Sequence, residues 1–241
     1  MTEQHHSFLY SHLALIIIPA PAGREVGHAV PDDDYGSPFF LSYSHTRGNS
    51  SAARDTRRLF EKFFHDLAEN VGELISPPTG VPAGFMDREM GGGMQWTDEL
   101  IHAVGTCHNL VALLSPRYLK SEWCGKEWDG FARRAVRKLE GAKASPRQGC
   151  IIPVRWVPFP TVLPHPVRTR LVYSPTRDLD PLAPTHYEQN GILGLLQVSR
   201  LKKCYEIVTW QLAMHIADIY HSQRTEVRFF DPAELNNAFP E

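Results

Sequence analysis

Neither a CxxC pair nor an HExxH or HxxxH stretch occurs in the 241 residues, so the usual signatures of a zinc site are missing. The four cysteines, Cys107, Cys124, Cys150 and Cys204, are scattered and suggest no disulfide framework. We therefore expect a cytoplasmic protein without a metal, and the twelve histidines read as surface or half-buried groups. No Gly-Lys-Ser/Thr follows a glycine-rich loop, which excludes a Walker phosphate cradle. No GxSxG elbow or Ser-His-Asp ordering supports acyl transfer. A net charge of −2 gives no overall electrostatic attraction to nucleic acid or an anionic membrane, and neither is expected as a partner. Long apolar runs are also wanting. The candidate, Phe8 to Gly23, has no Lys or Arg before it and is broken by prolines, so it reads as a loose leader or an extra strand rather than a signal peptide or membrane span.

What is present is a composition of 42% hydrophobic and 22% charged residues, enough to bury a full core. Residues 1–36 read as leader and linker, the last part rich in Gly, Pro and Asp, and the folded domain is expected over 37–222 with a tail over 223–241. "FFLSYSH", Phe39 to His45, fits a buried strand opening into a loop. Phe60, Phe63, Phe64, Leu67, Val71 and Leu74 then recur at helical spacing over Ala53 to Leu74. Thr97 is a plausible N-cap for a second helix, with Asp98 and Glu99 favourably placed near its dipole. "HNLVALLSP" reads as a strand covered on both faces, followed by a helix from about Ser121 to Leu139. Pro153 puts the strand Gly149 to Val157 at a sheet edge, the proline-rich stretch Pro158 to Tyr187 reads as loop, and Leu201 to Ile219 carries a last amphipathic helix. This alternation predicts an α/β fold, a parallel sheet with helices on both faces.

In such a sheet ligands bind beyond the carboxyl ends of the strands. Three segments meet there: the end of "FFLSYSH", the glycine-rich loop "FMDREMGGGMQW" from Phe85 to Trp96, and "SPRYLKSEWCGKEW" from Ser115 to Trp128. In the last, Trp123 and Glu127 are four residues apart and so share a helix face if Ser121 caps that helix, while Trp128 points elsewhere and reads as core. Cys124 reads as a small buried filler, and the basic run Arg133 to Arg147 as a solvated helix face and exit.

The strand "FFLSYSH", the loop containing "FMDRE" and above all "LLSPRYLKSEWCGKEW" resemble the Toll/interleukin-1 receptor (TIR) domain family, in order from about Pro38 to His221. The resemblance implies a flavodoxin-like layout of about five parallel strands. It also implies cleavage of NAD+ at the nicotinamide bond, since many bacterial and plant members do this with a glutamate four residues after the Trp of the WC motif. That glutamate is Glu127 here. Nicotinamide leaves neutral from a pyridinium, so no general acid is needed, and one carboxylate could stabilise the charge developing at the anomeric carbon. Trp123 would wall the ribose. The resemblance implies contacts from Tyr43, Ser44 and His45 at the first strand's end, and from Phe85 and Asp87 in the next loop. No cofactor is expected, NAD+ being the substrate, and self-association is implied as the route to activity in a defence or signalling role. A non-catalytic TIR scaffold is the alternative, and a nucleoside deoxyribosyltransferase-like enzyme a weaker one.

Overall fold

The computed structural model describes residues 36–44, 50–87, 97–141, 149–159 and 163–239. The leader assigned to residues 1–36 lies outside them apart from Gly36, as do His45 and the glycine-rich loop beyond Asp87.

Two βα units open the fold. β1 (Phe39–Ser42) leads to α1 (Ser51–Ile75), and β2 (Gly84–Met86) to α2 (Asp98–Thr106). β3 (Asn109–Leu114) follows, buried at every position as a strand covered on both faces must be. A short 3-10 turn, Tyr118–Lys120, delivers the chain to α3 (Glu122–Ala132). β4 (Val136–Lys138), β5 (Ile151–Arg155) and the single-turn α4 (His165–Arg168) come next, and α5 (Ala183–Gln197), α6 (Lys202–Ser222) and β6 (Gln223–Thr225) complete the order.

β2, β1, β3 and β5 form, in that spatial order, a parallel sheet. Four such strands are present among the described residues, against the five or so expected. Alternation along β1 separates two cores. Phe39 and Leu41 face α1, α5 and α6 with Phe63, Leu67 and Ile216, while Phe40 faces α2 and α3 with Leu100, Trp128 and Phe131. Helices therefore cover both faces. Pro153 lies in the edge strand β5, where its missing amide leaves no ladder bond unmade, and its carbonyl accepts from Tyr173 N at 2.8 Å.

Both sequence-read caps are present: Thr97 Oγ1 accepts from Leu100 N at 3.1 Å, and Ser121 Oγ from Cys124 N at 3.3 Å. The helix expected to continue to Leu139 stops at Ala132 instead, and Val136–Lys138 pairs antiparallel with β6. The cause is Arg134. Its guanidinium is buried, donating from Nη1 to Val104 O (2.9 Å) and Cys107 O (2.7 Å) and from Nε to Glu226 O (2.6 Å). A side chain turned inward to these carbonyls cannot also continue a solvated basic face.

The stretch expected as loop up to Tyr187 contains α4 and the first turn of α5. α5 kinks at Gly191, whose φ of 61° lies in the left-handed region. A Cβ there would sit 2.6 Å from Trp156 O, so the kink lets the helix backbone approach the end of β5. The segment after Ser222, expected as a tail, is packed: Phe230, Leu235 and Phe239 are buried in the α2–α3 core.

Candidate functional site

The sheet order reverses direction between β1 and β3, and the crevice beyond their carboxyl ends is where an open α/β sheet receives a ligand. Ser42 ends β1 on the same side as Phe40, so its side chain points toward α3. Tyr118 comes from the turn after β3, where its amide is held by Ser115 Oγ at 3.1 Å. Glu127 lies on the buried face of α3 with Cys124, Trp128 and Phe131, a spacing of three and four residues.

Those three side chains form one network. Ser42 Oγ donates to Glu127 Oε2 and lies 2.9 Å from Tyr118 Oη. A serine hydroxyl has a single proton, so if Ser42 donates to the carboxyl, Tyr118 must donate to Ser42. With the carboxyl ionised, the chain of donors therefore runs Tyr118 to Ser42 to Glu127. Glu127 is only 7% exposed. Burial pushes its carboxyl up to about 8, the Ser42 hydrogen bond pulls the other way, and the nearby negative charge of Asp87 adds to the rise. At neutral pH the carboxyl of the ligand-free chain is thus held largely protonated. The ionised form assumed from the sequence requires either a higher pH or a neighbouring cation. Burial also raises the Tyr118 phenol and the Cys124 thiol well above their usual values, which suits Cys124 as filler and gives it no nucleophilic character.

Tyr43 occupies the opposite face of the sheet end. Its ring packs on Phe60 (4.5 Å between centroids), which stacks on Trp156 (4.2 Å), and its hydroxyl donates to the Asp87 carbonyl at 2.9 Å. The bond ties the end of β1 to the start of the loop after β2. Burial raises the Tyr43 phenol pKa, and the negative charges of Asp87 and Glu127 add to the rise. Ser44 is buried, and Phe85 is half-buried with its ring 5.4 Å from Phe40.

Trp123 is half-buried one turn before Glu127, with Lys126 Nζ 5.5 Å from its ring centroid and that lysine also bonded to Glu122 at 3.0 Å. The indole thus has a cation for a neighbour. His45 lies outside the described residues.

Sequence reasoning missed Ser42 and Tyr118. Ser42 could have been found from pleat alternation, since it continues the Phe40 side, and Tyr118 stands within the same "SPRYLKSEWC" stretch that drew attention to Glu127. Among the described residues no group of three or more His, Cys, Asp and Glu is placed to hold a metal, and no helix is long and apolar enough to cross a membrane.

A family model described as TIR domain matches residues 39–183, from the first residue of β1 to the first of α5. No curated protein and no solved structure matches the chain.

Proposed function

The matched residues are more than half of the chain, which belongs to the TIR domain family, and from that premise we propose that it is an NAD+ glycohydrolase with Glu127 as its catalytic carboxylate. Membership itself supports a signalling role. The observation that carries the finer reading is the buried, hydrogen-bonded Glu127 at the switch point of the sheet, where burying a carboxyl costs folding stability.

The chemistry follows from the carboxyl's protonation. A substrate that enters with a pyridinium cation favours the ionised form, so binding NAD+ would itself draw the proton off Glu127. Donation from Ser42 then holds the carboxylate against the positive charge that grows at the anomeric carbon as nicotinamide departs. Water captures the ribosyl cation to give ADP-ribose, or the adenine base captures it to give a cyclic isomer. Tyr43, Ser44, Phe85, Asp87 and His45 are the proposed substrate contacts, with Trp123 beside the ribose. The proposed partner is a second copy of the domain, in a bacterial defence or signalling setting within the cytoplasm.

One observation favours the scaffold reading instead. Ser42, Tyr118 and Glu127 satisfy one another in the ligand-free chain, as a purely structural network would. The two readings separate in one experiment: purified protein, dilute and crowded, is incubated with NAD+ and free nicotinamide is measured. The hydrolase releases it, and Glu127→Gln lowers release on the order of a hundredfold or more. Its kcat/KM should fall about tenfold per pH unit below about 8, because only the ionised free enzyme is competent, while the kcat limb lies further acid. Absence of release under every assembling condition would sink the hydrolase.

A further inference from the structure

The last described residues lie along the helix that carries Glu127. Asp231 caps a short turn, Pro232–Glu234, by accepting from Ala233 N at 2.9 Å. The chain then runs beside α3, with Asn236 N donating to Asp129 Oδ2 (2.9 Å) and Ala238 N to Gly125 O (3.2 Å). Asn237 folds back on itself: its Oδ1 accepts from Phe239 N at 3.0 Å and its Nδ2 donates to Phe239 O at 3.3 Å. That clasp fixes the Phe239 ring, 4% exposed, against Trp128 (5.3 Å between centroids) and Tyr118 (5.8 Å).

The strap thus meets α3 on both sides of Glu127 in sequence, and its Phe239 ring meets Tyr118 of the network directly. Gly125 is two residues before Glu127, Asp129 two after it, Trp128 adjoins it, and Tyr118 is the first donor of the network. Gly125 is itself shaped to the strap. A Cβ there would stand 1.8 Å from Asn237 Oδ1 and 3.0 Å from Ala238 N, so any larger residue must push the Asn237 side chain out of its clasp. The strap also lies well beyond Ala183, where the family match ends.

We propose that the segment Asp231–Phe239 is a positioning strap for the candidate site, with Phe239 the positioning residue that holds Tyr118 and α3 in register so that Ser42 can engage Glu127. The kinetic consequence rests on the hydrolase reading; the structural one does not. Fixing a supporting shell to within a fraction of an ångström is what such a network needs, and a misplacement near 1 Å costs on the order of a hundredfold in rate.

The test uses the full chain and two readouts. Carbon-13 NMR of labelled glutamate carboxyls, assigned with Glu127→Gln, gives the Glu127 titration midpoint, and NAD+ turnover gives kcat and KM. In Phe239→Ala the support behind Tyr118 and Trp128 is lost and the packing around Glu127 loosens, so the midpoint should drop from about 8 by roughly one pH unit or more, with kcat down about tenfold or more and KM moved less. Phe239→Leu, which keeps apolar bulk, should restore most of both. A folded Phe239→Ala whose midpoint and kcat match the wild type overturns the proposal. Should that variant not fold, Gly125→Ala decides. Alanine ordinarily strengthens a helix interior, but here it must expel Asn237, so the expected result is a lower Tm with the same change in midpoint. A higher Tm with an unchanged midpoint overturns the strap. A wild type that releases no nicotinamide, while Phe239→Ala still lowers the midpoint, ends the hydrolase reading and upholds the strap.

Discussion

In the unfolded chain the Glu127 carboxyl ionises near 4.5, whereas burial delays ionisation in the fold to about 8. Between those values the folded state binds more protons at this site than the unfolded one, so the stability this group contributes is fully present below pH 4.5, falls as pH rises across the window, and levels off above 8. Each pH unit of that window weakens folding about tenfold, and the whole loss is on the order of a few kcal/mol. Glu127→Gln keeps an acceptor for Ser42 and removes the titration. We therefore expect it to melt several degrees above wild type near pH 9 and much closer to it near pH 4.5, as differential scanning calorimetry across that range will show. The opposite trend would mean that Glu127 is stabilised as an anion. Gain in stability with loss of turnover is the signature of a residue retained for chemistry.

At the scale of elements, what could be read from the sequence depended on whether the cause was local. The α1 pattern of Phe60, Phe63, Phe64, Leu67 and Val71, the caps Thr97 and Ser121, and the edge position of Pro153 are set by near neighbours, and the fold follows them. The end of α3 is set from far away. Arg134 turns inward because carbonyls near the end of α2, from Val104 and Cys107, and Glu226 O in the segment after β6 converge on it, and nothing in the sequence next to Arg134 announces those partners. Ser42 escaped notice for a related reason: its role comes from a helix 85 residues on. α5 was hidden by prolines and by Gly191, whose kink answers to Trp156 rather than to its own helix. A cation at a helix C-terminus donating to three carbonyls is a charged hydrogen-bond hub, and Arg134→Met should cost about 3 kcal/mol or more in urea unfolding, with the denaturant slope unchanged. Arg134→Lys should fall between, because one ammonium cannot reproduce the fork.

For the whole molecule, the family match covers 39–183, yet both cores draw on residues beyond it. The face of the sheet toward α1 is closed by Leu195, Val208, Leu212 and Ile216 of α5 and α6, and Tyr205 Oη donates to Asp66 Oδ2 of α1 at 2.5 Å. The other face is closed by Phe230, Leu235 and Phe239. A chain ending at Ala183 would keep the sheet side of the α1 core but lose the α5 and α6 side chains that cover the rest, a loss of roughly 1.5–3 kcal/mol for each large side chain left uncovered. Domain stabilities total only about 5–15 kcal/mol, so losing α5 and α6 together exceeds what the remainder can supply. We expect a chain truncated after Ala183 to show no cooperative thermal transition by circular dichroism, and one truncated after Glu226 to retain a transition at lower Tm, because it keeps α6 and β6 and loses only the strap side of one core. A cooperative transition from the shorter chain would mean that the matched region is a self-sufficient unit and that α5 and α6 are accessories to it.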